Sequence, residues 1–158
     1  MKNMRENALE HWMHRLMLGF RCQVEKRTKE LGLNAMDAIP LLILSKEGSS
    51  YLVKLSKFIG HTHTSVLRHI DSLESSGYVV RKAHPSDRRM KIVELTDTGK
   101  AIIPKIKRIF NEVNDIALSG FSETEREKLM DSLQRIHSNL VITEAGENGD
   151  FQCDGGLS

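Results

Sequence analysis

The feature that most constrains the fold of this 158-residue chain is a change in apolar spacing at Gly77. The apolar residues before Gly77 recur at three- and four-residue steps, which is the spacing of one face of an α-helix. They are Val66, Ile70 and Leu73. After Gly77 come two short β-type runs, 78–83 and 91–95, separated by turn residues that include Pro85 and Asp87. The pattern predicts a helix followed at once by a β-hairpin.

A second short helix is predicted before this one. Residues 52–59 have helical apolar spacing, and Gly60 with His61 supplies a tight turn. Thr62 is an N-cap residue for the following helix, which we expect to run to Ser75. Two short helices joined by a glycine-containing turn and followed by a hairpin are the parts of a winged helix-turn-helix. Such a fold places its second helix in the DNA major groove.

Amphipathic helices are predicted on both sides of this segment. One covers about 7–31, a second is capped by Asn34 and closed by Gly48, and two more occupy 98–141. Pro40 lies inside the second helix and predicts that it either starts late or is kinked. The last helix is expected to begin with a capping box made of Ser122 and Glu125.

The predicted fold class is mostly α with a small β-hairpin wing. A winged helix-turn-helix lobe at about 50–96 is flanked by helices from both chain ends, at about 7–31 and 98–141, within a single domain at 1–142. The apolar stripes of the end helices cover more surface than one small lobe can bury, so we expect them to form a homodimer interface. Residues 143–158 are rich in Gly and acidic residues and are expected to be a disordered tail.

Positive charge is concentrated in the middle of the chain. The net charge is only +2, but residues 51–100 hold nine Lys and Arg against five Asp and Glu, whereas residues 122–158 hold three against eight. A basic middle on a nearly neutral chain suits a surface that binds a polyanion. No apolar run approaches the roughly 20 residues of a membrane span, and the first residues have no apolar signal core. We therefore expect a cytoplasmic protein.

The side of the second helix opposite Val66 carries the groups expected to contact DNA. Thr64 and Arg68 point away from Val66, and an arginine can bind guanine through two hydrogen bonds. The free N–H groups at the start of the helix favour a phosphate. Two arginines at the hairpin tip suit a narrow minor groove, and a neighbouring carboxylate is expected to hold the wing in shape. The predicted DNA-binding residues are His61, Thr62, His63, Thr64, Ser65, Arg68, Ser72, Arg88 and Arg89, with Asp87 as the wing support.

Three runs of residues resemble the MarR family of regulators (multiple antibiotic resistance regulator type). They are 55–60, 65–81 and 87–99. The last run contains Asp87-Arg88-Arg89 and Leu95-Thr96-x-x-Gly99, which is similar to the wing signature of the family. The order of elements matches from about residue 7 to residue 141. The resemblance implies a homodimer in which the first and last helices of two chains interleave, and each lobe docks on one half-site of a roughly palindromic operator.

The resemblance also implies a regulatory ligand. Family members often bind a small phenolic or aromatic acid in a cleft between the dimerisation helices and the DNA lobe, and this releases the DNA. The candidate lining residues here are Trp12, Arg15, Leu16, Met36 and Ile39. The predicted function is that of a ligand-responsive transcriptional regulator, a repressor rather than an activator, that binds double-stranded DNA without a cofactor.

Two other interpretations stay open. The chain could be a winged-helix module that binds protein instead of DNA, although the basic middle and the intact wing disfavour this. It could also sense oxidants through Cys22, as some members of the resembled family do. Cys22 lies in the middle of a helix, so we expect it to be a buried small apolar residue instead. Cys153 lies in the tail, and both cysteines are expected to be free thiols.

Neither a metal site nor catalysis is expected. His61, His63 and His69 do not converge on one point, and no Cys or acidic residue is spaced to complete a zinc site. Ser65, His69 and Asp71 are neighbours on one helix but point to different sides, so they do not form a catalytic triad. We therefore expect a non-enzymatic protein.

Overall fold

A computed structural model describes residues 8–59, 62–84 and 91–142. The chain divides into two compact units, Met1–Val113 and Asn114–Ser158. The single domain at 1–142 with its dimerisation helices stays a prediction, and the tail at 143–158 lies outside the described residues. The elements are α1 (Leu9–Thr28), a 3-10 turn (Lys29–Leu31), α2 (Ala35–Glu47), β1 (Ser49–Tyr51), α3 (Leu52–Ile59), α4 (His63–Ser75), β2 (Val79–Ala83), β3 (Lys91–Leu95), α5 (Asp97–Ala117) and α6 (Glu123–Ile142).

The first helix ends earlier than its apolar spacing indicates. α1 stops at Thr28, and the next three residues form one 3-10 turn that ends at Gly32. The N–H groups of Gly32 and Leu33 donate to the carbonyls of Lys29 and Thr28 at 3.0 and 3.1 Å. Apolar periodicity alone cannot distinguish this tighter last turn from a continuing α-helix.

The predicted cap of α2 is confirmed. The N–H of Asp37 donates to Asn34 Oδ1 at 2.9 Å, and the helix starts at Ala35. The expectation of a late start is therefore wrong, because the helix already has five residues before Pro40 and continues to Glu47. Pro40 is buried, so packing of the surrounding residues sustains the helix past the missing backbone donor.

The sheet has one strand more than the predicted hairpin. β2 pairs antiparallel with β3, with Arg81 opposite Val93, and β1 adds to the other edge of β3, with Ser50 opposite Val93. The strand order is β1-β3-β2. β1 has only three residues, two of them serines, and is too short to show a strand pattern in the sequence. Pairing with β3 is what makes it a strand.

The main core joins α2 and α4 to α5 and the sheet. α4 contributes the three apolar residues that the sequence placed on its inner face, and all three are fully buried. The core residues are Leu33, Ala38, Leu41, Leu44, Leu55, Val66, Ile70, Leu73, Val79, Val93, Ile102, Ile103 and Ile106. A smaller cluster joins α1 to α2 and α5 through Val24, Ala35, Ile109 and Val113.

The segment that leads from β3 into α5 carries the Leu-Thr-x-x-Gly pattern. Its polar groups form hydrogen bonds with backbone groups before β2 and after β3. Thr96 Oγ1 donates to the carbonyl of Gly77 at 2.6 Å and accepts the N–H of Gly99 at 3.0 Å. The N–H of Thr96 donates to the carbonyl of Tyr78 at 3.1 Å. A Cβ at Gly99 would lie 2.0 Å from that same carbonyl oxygen. The pattern therefore ties the end of α4 to the start of α5, and only glycine fits at its last position.

The second unit begins its long helix, α6, with the predicted capping box. The N–H of Ser122 donates to Glu125 Oε2 at 2.8 Å, and the N–H of Glu125 donates to Ser122 Oγ at 3.4 Å. Glu125 accepts hydrogen bonds from Ser122, and these hold the pKa of the Glu125 carboxyl below its usual value. The bond from the backbone N–H of Ser122 has the larger effect, and the bond from its hydroxyl the smaller. Large apolar side chains on α6 are exposed: Met130, Leu133 and Leu140.

Candidate nucleic-acid interface

The outward face of α4 is the centre of the candidate interface. The opposite face is fully buried through Val66, Ile70 and Leu73. That burial turns the apolar face of α4 towards the core and leaves Thr64 and Arg68 exposed. Arg68 forms no ion pair or hydrogen bond with any residue that the structure describes. An exposed guanidinium beside a small hydroxyl can reach both phosphates and base edges.

Thr62 caps α4, as the sequence predicts. Its Oγ1 accepts the N–H of Ser65 at 3.3 Å, and its carbonyl accepts the N–H of Val66 at 3.1 Å. Thr62 and His63 are exposed, Ser65 is half-buried, and the first turn has no acidic residue. A helix start without a carboxylate leaves its dipole and its free N–H groups available to a phosphate. His61, the other predicted contact here, lies outside the described residues.

A buried carboxylate on α2 holds one flank of α4. Asp37 is 3% exposed, its Oδ1 accepts His69 Nδ1 at 2.8 Å, and its Oδ2 accepts Ser72 Oγ at 3.4 Å. The sequence predicted Ser72 as a DNA contact, and no local pattern pointed to Asp37 as its partner. The three-residue spacing of His69 and Ser72 puts both on one side of the helix. Their shared partner more than 30 residues away becomes visible only in the folded chain.

A more exposed cluster holds the other flank of α4. Arg81 on β2 donates to Asp71 Oδ1 at 2.6 Å through Nη2 and to Glu74 Oε2 through Nη1. The backbone N–H of Arg81 donates to Glu74 Oε1 at 3.0 Å. Both carboxylates of α4 are therefore engaged by the wing strand, which balances their negative charge at the edge of the outward face.

The two wing strands are described, but their tip is not. Lys82 Nζ on β2 pairs with Glu94 on β3 at 2.6 Å. The ring of His84, the residue after β2, lies 5.5 Å from the ring of Tyr51 on β1. Both contacts link different parts of the sheet where β2 ends and β3 begins. The predicted tip residues lie outside the described residues and their roles stay predictions: Asp87, Arg88 and Arg89.

A groove of about 510 Å³ lies in the first unit between α1 and α2. Three of the five predicted ligand residues line it: Leu16, Met36 and Ile39. Trp12 and Arg15 are exposed on α1 and are not among its lining residues, since Trp12 lies a full turn before Leu16. Phe20 and Phe110, whose ring centroids are 6.0 Å apart, also line the groove, and Arg21 adds a positive charge. Ligand binding itself stays a prediction.

Cys22 is exposed on α1, so the expectation that it is buried is wrong for the single chain. The buried residues at this end of α1 are Val24 and Thr28. Two residues along a helix correspond to a rotation of about 200°, so Cys22 faces away from Val24. It borders a second groove together with Glu25 and Met36.

Within 8–59, 62–84 and 91–142, no three His, Cys, Asp or Glu side chains are grouped so that they could hold a metal ion. No helix in that part of the chain is both long enough and apolar enough to cross a membrane.

Comparisons with known proteins agree with this geometry. A family model described as MarR family matches residues 40–91, which contain α3, α4 and β2. The solved structure of the transcriptional regulator SlyA is 27% identical with a TM-score of 0.74, and the match covers 81% of this chain and 92% of that one. A MarR transcriptional regulator from Methanosarcina mazei Go1 is 25% identical with a TM-score of 0.80, covering 85% and 97%. A MarR family transcriptional regulator from Listeria monocytogenes, complexed with a 26mer DNA, is 22% identical with a TM-score of 0.78, covering 92% and 99%.

Proposed function

We propose that the chain is a member of the MarR family of transcriptional regulators, whose family model matches residues 40–91, and that it is a ligand-responsive repressor that binds a pseudo-palindromic DNA operator as a homodimer. In this proposal α4 enters the major groove, and Arg88 and Arg89 enter the minor groove. The observation that carries it is the outward face of α4, where Arg68 is exposed and unpaired among the described residues, beside Thr64.

The charges on α4 favour DNA over a protein partner. Asp71 and Glu74 are both engaged by Arg81, which leaves Arg68 as the charge that the helix presents outward. Hydroxyl groups, one guanidinium and a helix N-terminus match the groups that contact phosphates and base edges in duplex DNA. The Listeria regulator with a similar fold was solved with a 26mer DNA, which supports duplex DNA as the partner.

Exposed apolar side chains support the homodimer. On α1 of the first unit the exposed set is Leu9, Trp12, Met13, Leu16, Met17 and Leu18. On α6 of the second unit it is Met130, Leu133 and Leu140. Single exposed apolar residues are common, but stripes that follow helical spacing are typical of interaction surfaces. A two-fold dimer would present its two α4 helices to half-sites about 34 Å apart, one turn of DNA.

The groove between α1 and α2 supports a response to a small ligand. Its volume of about 510 Å³ falls within the usual range for small-molecule sites, and such sites are mostly apolar with a few placed polar groups. Arg21 at this groove can pair with a carboxylate. A small aromatic acid fits both features, with its ring among the apolar residues and its carboxylate at Arg21.

In vitro selection from a random duplex pool tests DNA binding, and fluorescence anisotropy on the enriched duplex measures its strength. We expect affinity to fall steeply as salt rises, because phosphate contacts release counterions. Arg68→Ala should relax the preference at one base position and cost about tenfold or more in affinity. Lys46→Ala removes an exposed positive charge from α2 and should bind like the parent. Failure to enrich any duplex would contradict the proposal.

Sedimentation equilibrium tests the dimer. Leu133→Glu places a charge on an exposed apolar position of α6, so it should leave the chain folded, shift the parent dimer towards monomer and weaken DNA binding. Gln134→Glu adds the same charge at the neighbouring exposed position and is the matched control. A monomeric parent that still binds a palindromic duplex with full affinity would rule out the proposed assembly.

A panel of aromatic acids that starts with benzoate tests the ligand response. We expect one member to release the selected duplex from the parent and to act much more weakly on Arg21→Ala, because the carboxylate loses its charged partner. The matched control is Arg15→Ala, an exposed arginine on the same helix that does not line the groove. Equal release from all three proteins would remove Arg21 from the proposed site.

Oxidation of Cys22 is a second candidate form of regulation, favoured by the exposure of this thiol. Peroxide would convert the thiolate to a sulfenic acid while the peroxide is reduced to water. If Cys22 is the sensor, peroxide releases DNA from the parent and from Cys153→Ser but not from Cys22→Ser. DNA binding that peroxide leaves unchanged would exclude this candidate.

A further inference from the structure

Asp37 is the one charged residue in the buried class among the residues that the structure describes. Burying a carboxylate is costly unless hydrogen bonds replace its lost hydration. Its Oδ1 accepts His69 Nδ1 at 2.8 Å, and its Oδ2 accepts Asn34 Nδ2 at 2.7 Å and Ser72 Oγ at 3.4 Å. Two of these three donors belong to α4, the helix that the proposed function places in the DNA major groove.

We infer that Asp37 is a positioning residue for DNA recognition, which fixes the rotation of α4 about its own axis by holding His69 and Ser72. The inference rests on the proposed role of α4 in DNA binding. It also assigns Ser72 a role different from the predicted one, since its hydroxyl would serve α2 rather than the operator.

The placement of the two donors on α4 explains how one carboxylate can control rotation. Helical steps of about 100° per residue put His69 about 60° and Ser72 about 120° from the inward direction of Val66. Both lie on the same side, between the buried stripe and the outward face. Arg68 directly precedes His69 and lies about 160° from Val66. A roll of the helix would therefore break the contacts to Asp37 and move the guanidinium of Arg68 sideways in the groove.

The buried stripe alone does not provide this control. Branched and unbranched apolar side chains tolerate small rotations because their contacts are non-directional. A hydrogen bond weakens steeply when its angle changes. The apolar residues hold α4 against the core, and Asp37 supplies the directional contact that selects one rotation.

The ring of His69 allows a matched pair of variants. A carboxylate only accepts hydrogen bonds, so Nδ1 is the protonated nitrogen that donates to Asp37. The side-chain amide of asparagine can place an N–H at nearly the same point as Nδ1. His69→Asn therefore keeps the donor, whereas His69→Ala removes it. The His69 side chain is 20% exposed, so neither variant opens a large cavity.

The test measures DNA affinity and thermal stability of the full chain in parallel, on a duplex selected with the parent. At a temperature well below every unfolding transition, we expect Asp37→Ala and His69→Ala to weaken binding by about tenfold. His69→Asn should stay within about twofold of the parent, because the donor is kept. The double variant should bind no more weakly than Asp37→Ala alone, since both changes remove one contact.

Controls separate positioning from a general loss of stability. Ile109→Val trims a buried methyl group from the smaller core cluster and should lower the melting temperature while keeping the parental affinity. If Asp37→Ala fails to fold, the comparison of His69→Asn with His69→Ala decides. Parental affinity in folded His69→Ala, or additive losses in the double variant, would overturn the inference. A parent that binds no selected duplex would overturn the proposed function itself, and the inference with it.

Discussion

The two flanks of α4 are held by opposite kinds of polar contact: α4 supplies the hydrogen-bond donors on the α2 side and the carboxylates on the wing side. On the α2 side, the carboxylate of Asp37 is only 4% exposed and accepts hydrogen bonds from two side chains of α4. On the wing side, Arg81 bridges two carboxylates of α4, Asp71 and Glu74, which are 56% and 37% exposed. The first contact is shielded from water, and the second lies where solvent and salt weaken it.

This difference indicates a division of roles along one helix. A buried acceptor that loses its donors pays the full cost of an unsatisfied group, so the α2 flank strongly prefers one geometry. An exposed ion pair is worth roughly 0–1 kcal/mol, because water can replace either partner. The α2 flank is therefore suited to setting the orientation of α4, and the wing flank is suited to balancing charge beside the outward face of α4.

The largest effect is expected at the backbone contact that joins the wing side of α4 to α5. Gly99→Ala would push a Cβ to 2.0 Å from the carbonyl oxygen of Tyr78, and we expect it to cost on the order of 3 kcal/mol in urea denaturation. Gly19→Ala is the matched control, since nothing lies within 4 Å of that position, and it should stabilise the chain by about 0.5–1 kcal/mol. An unchanged stability for Gly99→Ala would mean that α5 is free to shift.

The second-largest effect is a loss of folding stability, and it is compared between one aspartate of each flank. Asp37→Ala leaves the donors of His69, Ser72 and Asn34 without their acceptor, and we expect a loss of about 2 kcal/mol in the free energy of unfolding. Asp71→Ala on the wing flank removes an exposed acceptor and should cost less than about 1 kcal/mol. Equal losses measured under the same denaturant conditions would break the comparison.

The dependence of folding stability on salt should also differ between the two flanks, although the expected effect is smaller. We expect Arg81→Ala to cost about 1 kcal/mol at low ionic strength, and this cost should shrink when 1 M salt reduces the Debye length to about 3 Å. The cost of Asp37→Ala should stay nearly constant, since its contacts are buried. Parallel salt dependence in the two variants would show that Arg81 is as well shielded as Asp37.

The smallest effect concerns an exposed pair away from α4, which tests whether exposure itself makes a pair weak. Lys54 Nζ lies 2.8 Å from Glu47 Oε2, and the hydrogen bond and charge of Lys54 hold the pKa of Glu47 below its usual value. A lowered pKa in the folded chain adds stability above the ordinary carboxyl pKa, and that stability is lost as the pH falls through the lowered value. Thermal melts should therefore show a slight deficit for Glu47→Gln near neutral pH that vanishes in acid. A deficit that persists in acid would assign it to something other than the charge.

Features determined by neighbouring residues were predictable from the sequence. The bounds of α3, the Thr62 cap, the Ser122 capping box and the Asn34 cap all depend on residues within one turn of each other. The buried stripe of α4 follows from helical spacing for the same reason. These local signals also carried the family resemblance, which the match to residues 40–91 supports.

Features that depend on distant partners were missed. Strand β1 exists because three residues meet the edge of β3, and nothing in Ser49–Tyr51 alone predicts a strand. The exposure of Cys22 follows from which side of α1 turns towards the core, and the weak amphipathicity of α1 does not determine that side.

The sequence by itself determined that this chain makes a helix-turn-helix with a following hairpin, because caps, turn residues and apolar spacing act over a few residues. It also determined which side of α4 faces outward, since the three buried residues leave Thr64 and Arg68 on the opposite side. Only the tertiary structure decided what holds that helix in place. A buried carboxylate can be recognised as an anchor only when folding brings α2 and α4 together, because Asp37 and His69 are separated by 32 positions in the chain.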